Sequence, residues 1–99
     1  MNTTTTTLRP FTKSDWQTWS GCESENPEVG EIDYGNGTGL SVILDEKFVN
    51  VVEWNEDGSA SPVYGQSFDT PALARVVANA ILGDPKLTPS LMGEPIGTC

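Results

Sequence analysis

The chain has 99 residues, enough for one domain built on a single modest core. It carries 14 acidic and five basic residues, a net charge of −9, and no histidine. The charge speaks against direct binding of nucleic acid or an anionic membrane, both of which need Lys/Arg patches. The missing imidazole removes the commonest general base, the Ser-His-Asp and Cys-His nucleophile systems and most zinc sites.

Threonine favours strands, so the polythreonine tract Met1–Thr7 could add an edge strand. The expected state is a flexible arm over residues 1–10. The tract lacks the positive start and apolar core of a signal peptide. No apolar run approaches the ~20 residues of a membrane span. The expected location is therefore the cytoplasm, that of a host cell if the protein is phage-encoded.

Residues 11–83 read as one α+β domain, opening with a short helix over Phe11–Trp19. Thr12 or Ser14 supplies its cap, with Asp15 or Gln17 completing a capping box. Trp16 and Trp19 share a face, either packed on the domain or offered to a partner, and Gly21 stops the helix. Cys22–Glu28 is an acidic loop. Val29–Tyr34 is a strand with Ile32 and Tyr34 on one side and Glu31 and Asp33 on the other. Asn36-Gly37 marks a tight turn.

The stretch Leu40–Asn55 is the centre of the design: two antiparallel strands joined at Asp45–Lys47. A three-residue turn puts Leu40, Val42, Leu44, Phe48, Val52 and Trp54 on one face. A two-residue turn exchanges the sets of the second strand, because a slip of one residue reverses a face. The first pairing is expected, since it gathers the large side chains. Apolar residues on both faces of the second strand imply either cover on both sides or an exposed patch.

Glu56–Ser59 is a turn. Ala60–Gln66 is a fourth strand, confined to an edge or an irregular start by Pro62. The clearest helix runs over Thr70–Gly83, with Pro71 in its first turn and Gly83 at its end. Leu73, Val76, Val77, Ala80 and Ile81 form its expected buried stripe, with Arg75 and Asn79 on the wet side. Residues 84–99 read as an irregular tail that Leu87, Leu91, Met92 or Ile96 could pin to the core. The expected architecture is an antiparallel β-meander of three to four strands, covered by one C-terminal helix and preceded by a short N-terminal one.

Motifs for chemistry are absent. Cys22 and Cys99 have no metal spacing and make no disulfide framework; free thiols are expected, and a bridge between them stays open. Glu23 and Glu25 beside Cys22 would blunt its thiol as a nucleophile. Carboxylate pairs are plentiful, but so small a domain rarely encloses a sugar cleft as well. Glu53–Ser59 resembles the start of an EF-hand loop but has Tyr64 where the bidentate Glu belongs. Gly35, Gly37 and Gly39 lack the Lys and following helix of a phosphate cradle. No catalytic residue, metal or cofactor is expected.

Acid is what remains. Between Asp15 and Asp57 the sequence has eleven carboxylates and one cation, Lys47. Glu31 and Asp33, roughly 7 Å apart on one strand face, would present a row of negative charge. DNA phosphates also form a negative row, so such a row could compete for the same Lys/Arg surface. In size, charge and lack of catalytic groups the chain resembles small phage-encoded inhibitors of host defence, the anti-CRISPR proteins among them. The function expected is a non-enzymatic binder of a basic nucleic-acid-binding protein or complex, acting through Glu23, Glu25, Glu28, Glu31 and Asp33. Trp16, Trp19 or Trp54 would be its apolar anchor. The alternative is a structural subunit that forms homo-oligomers, a homodimer for example, through a sheet edge. Separately, the acidity could serve only to keep the protein soluble.

Overall fold

The computed structural model describes residues 4–13 and 26–93. Trp16, Trp19, Cys22, Glu23, Glu25, Ile96 and Cys99 lie outside them, as does most of the expected N-terminal helix. The described chain is α+β: one antiparallel sheet in meander order, with helices after it. The strands are β1 (Thr4–Pro10), β2 (Glu28–Asp33), β3 (Gly39–Asp45), β4 (Phe48–Trp54) and β5 (Ala60–Ser67). Helix α1 (Pro71–Gly83) follows, then a 3₁₀ turn at Pro85–Leu87 and the short helix α2 (Thr88–Met92).

There are five strands rather than three or four because the polythreonine tract is not a free arm. It pairs with β2, Thr4 against Ile32 and Arg9 against Val29, with an irregularity between them. β2 would otherwise have left a row of unpaired backbone groups, and threonine suits the edge position.

The hairpin takes the other register from the one expected. Asp45 pairs with Phe48 and Leu44 with Val49, so the turn is Glu46-Lys47 alone. Glu46 has φ 56, the left-handed value that two-residue hairpin turns use to match the strand twist. Leu40, Val42 and Leu44 therefore share a face with Val49, Val51 and Glu53. Phe48, Asn50, Val52 and Trp54 lie on the other.

Helix α1 covers the first face. Ile32, Leu40, Val42, Leu44, Val49 and Val51 form one cluster with Ala74, Val77, Ala78, Ile81, Leu82 and Met92. Each large aliphatic side chain buried there contributes about 2 kcal/mol. Gly30 makes room for the helix, since a Cβ on it would lie 2.4 Å from Leu82 Cδ1. Thr70 caps α1 through its hydroxyl, which accepts from the Leu73 N–H at 3.1 Å. The buried stripe is rotated from the expected one. Val77 and Ile81 point inward, whereas Leu73 and Val76 are 43% and 63% exposed. The small Ala74 and Ala78 face the sheet in their place, which lets the helix lie close.

Both central strands are covered on both sides. On the face away from α1, Val29, Ile43 and Val52 form a second cluster with Phe11 against it. Ser41 and Asn50 are buried in that face as well. The expected irregular tail is partly helical: α2 buries Thr88 and Met92, and Leu91 packs against the main core.

Candidate functional site

The structure separates the acidic residues expected to act together. Side-chain parity puts Glu28 on the α1 face and Glu31 and Asp33 on the other. Arg75 clasps Glu28 with both guanidinium nitrogens, Nη1 reaching Oε1 at 3.2 Å and Nη2 bonding Oε2. This hydrogen bonding holds the Arg75 pKa above its ordinary value. Arg9 Nη2 donates to Glu31 Oε1 at 3.3 Å. Two of the expected row therefore have cations of their own, and only Asp33 among its described members does not. Trp54 is half-buried, its ring lying on Gly39 of the neighbouring strand, where a Cβ would come within 2.2 Å of the indole.

Like Asp45, Glu46 and Asp69 at the hairpin end, a second group of carboxylates without ion pairs among the described residues lies at the loop end of the sheet. The β2–β3 and β4–β5 loops lie side by side there, with Gly37 against the Glu56 side chain. Asp33, Glu53, Glu56 and Asp57 lie in or beside these loops, Asp33 on the face away from α1 and Glu53 on the α1 face. None has a cation within ion-pair distance among the described residues. The loops hold their shape by folding carboxylates onto backbone. Asp33 Oδ1 accepts from Gly35 N–H at 2.7 Å, and Asp57 Oδ1 from Ser59 N–H at 2.8 Å and Ser59 Oγ at 2.6 Å. The Ser59 hydroxyl, then its N–H, pulls the Asp57 pKa below the ordinary carboxylate value. The Asp57 bonds favour its ionised form without cancelling its charge. The C-terminus of α1 points to the same end and adds the negative pole of its dipole.

A groove of about 630 Å³ opens on the α1 face at this end. Its floor is Leu40, Val51 and Val63, flanked by Tyr34 and Tyr64, with Glu53 among them. The chain after α1 forms the opposite wall through Pro85, Lys86 and Thr88. The register explains the assembly. Tyr34 continues the inward parity of Ile32, Glu53 pairs with Leu40, and Tyr64 pairs with Val51. Partial burial, then the nearby Glu53 carboxylate, raises the Tyr34 pKa above its ordinary value of 10.0. The volume lies within the range of ordinary ligand pockets.

The groove combines aromatic walls, an apolar floor and one carboxylate, a surface suited to a cation with an apolar stem. The described residues contain no group of three or more potential metal ligands. No described helix is long and apolar enough to cross a membrane. Sequence reasoning named Tyr34 on a strand face and Glu53 and Tyr64 in an EF-hand-like stretch, but did not bring the three together, because their meeting depends on the hairpin register. No family model, curated protein or solved structure matches the chain.

Proposed function

We propose that this protein is a non-enzymatic acidic binding protein that inhibits a basic nucleic-acid-binding protein or complex by occupying its cationic surface. It would act in the cytoplasm, in the manner of the anti-CRISPR-type inhibitors it resembles in size and charge. The observation that carries this reading is the asymmetry of the carboxylates. Glu53 lies in an aromatic groove with Glu56 and Asp57 in the adjoining loop, and none of the three is ion-paired among the described residues, whereas Glu28 and Glu31 are held by Arg75 and Arg9. Asp45, Glu46 and Asp69 at the other end are also unpaired among the described residues but have no such groove of aromatic walls beside them. A concentrated negative end steers a cationic partner into encounter, and the groove supplies desolvated contact that slows its departure.

The edge-assembly reading is weaker. Both edge strands carry a proline, Pro10 in β1 and Pro62 in β5, and both have a break in register. Prolines and bulges blunt an edge against pairing with another chain. The partner reading is tested by displacement. The protein is titrated into a complex of an arginine-rich peptide with a labelled DNA duplex. Release of the duplex is expected from the wild type, and not from the variant Asp33→Asn, Glu53→Gln, Glu56→Gln, Asp57→Asn. Equal release by both, or by neither, would contradict it.

A further inference from the structure

We infer that the groove takes one arginine side chain of the partner, its guanidinium set against Glu53 between Tyr34 and Tyr64 and its methylene stem along Leu40, Val51 and Val63. The inference rests on the reading of the protein as a binder of a cationic partner, and names what enters the site. The register sets the geometry: Tyr34 stands on the β2 side of Glu53 and Tyr64 on the β5 side, so a group at the Glu53 carboxylate is flanked by two rings. The Glu53 charge is felt at Tyr34, where it raises the phenol pKa, so the two groups are within electrostatic reach. No cation among the described residues pairs with Glu53. Lys86, the one cation in the lining, makes no ion pair with Glu53.

Charge complementarity selects a cation, and shape selects arginine over lysine. A guanidinium is planar, stacks on aromatic faces and pairs with a carboxylate through two parallel hydrogen bonds. An ammonium is a compact, strongly hydrated point charge that gains less from two flanking rings. The apolar floor matches a stem that is buried while its head stays polar. The rim carboxylates Asp33, Glu56 and Asp57 lie outside this seat and act at longer range on any cation.

The test uses the full chain and two small probes, acetyl-arginine methylamide and acetyl-lysine methylamide, followed through the Tyr34 and Tyr64 ring signals by NMR. Both rings are expected to shift with the arginine probe, which should bind at least ~5-fold tighter than the lysine probe. Glu53→Gln and Tyr34→Leu should each weaken the arginine probe by ~10-fold; Glu53 is exposed, so its variant keeps the fold. Unmoved rings, or equal affinity for the two probes, overturn the arginine seat. If an oligo-arginine peptide then still binds and loses affinity on neutralising Asp33, Glu56 and Asp57, the broader reading survives without the seat. If no cationic probe binds at all, both fall.

Discussion

The two ends of the sheet carry similar numbers of carboxylates but different charge. At the hairpin end, Glu28 is paired with Arg75 and Glu46 lies near the N-terminus of α1, while Asp45, Glu46 and Asp69 have no ion pair among the described residues. A smaller hollow of about 250 Å³ there is lined by Glu28, Glu46 and Arg75. At the loop end, Asp33, Glu53, Glu56 and Asp57 meet the negative end of the same helix. Lys86 is the only cation among the residues lining the groove there. One helix thus offsets acid at one end and reinforces it at the other. A net charge of −9 is a property of the composition; where it can act is decided by which carboxylates the fold supplies with partners.

The largest effect that would break this contrast is structural. Gly39→Val places a Cβ 2.3 Å from the Ile32 carbonyl and 2.2 Å from the Trp54 ring, so backbone must move at the loop end. A loss of roughly 3 kcal/mol or more in denaturant unfolding is expected, together with exposure of the Trp54 fluorescence. Arg75→Met removes the compensation at the other end. The pair is partly exposed, its side chains 49% and 23% accessible, so the loss of stability should be about 1 kcal/mol. The same variant frees Glu28 and should create a second, weaker site for cationic peptides, visible as added stoichiometry in calorimetry.

Tyr34 supplies the smallest and sharpest probe. Its pKa is raised in the fold by partial burial and by Glu53. A group whose folded pKa lies above its unfolded value adds stability that is complete below the unfolded pKa and is lost as pH rises through the folded one. Stability should therefore decline above about pH 10. Glu53→Gln should move the Tyr34 titration, followed by ultraviolet absorbance, part of the way back toward the ordinary value, since burial remains. A Tyr34 titration unaffected by Glu53→Gln would separate the two residues and dissolve the groove as a unit.

Much of the fold was legible in the residues themselves. Alternation located β2, the apolar run with its polar break located β3 and β4, the turn before Ala60 located β5, and Thr70, Pro71 and Gly83 bounded α1. Three features were not legible, each for a physical reason. The choice between two- and three-residue turns at Asp45–Lys47 rests on the backbone of Glu46, a residue that enters the left-handed region only because strand twist demands it. The helix stripe is set by how closely Ala74 and Ala78 approach the sheet, which a pattern of hydrophobicity does not weigh. The pairing of β1 with β2 is long-range, and threonine alone does not choose between arm and strand. The candidate site inherited these errors. Glu28 and Glu31 look alike in sequence, and only the partners Arg75 and Arg9, 47 and 22 residues away, withdraw them from the surface potential.

The most direct measurement compares two neutralised proteins against an oligo-arginine peptide by calorimetry at low and at physiological salt. One carries Asp33→Asn, Glu53→Gln, Glu56→Gln and Asp57→Asn; the other Glu28→Gln and Glu31→Gln. The loop-end variant is expected to lose ~30-fold or more in affinity and most of the salt dependence, and the paired-residue variant less than ~3-fold. Equal losses, or a larger loss from Glu28 and Glu31, would contradict the proposal that the loop end of the sheet is where this protein meets its partner.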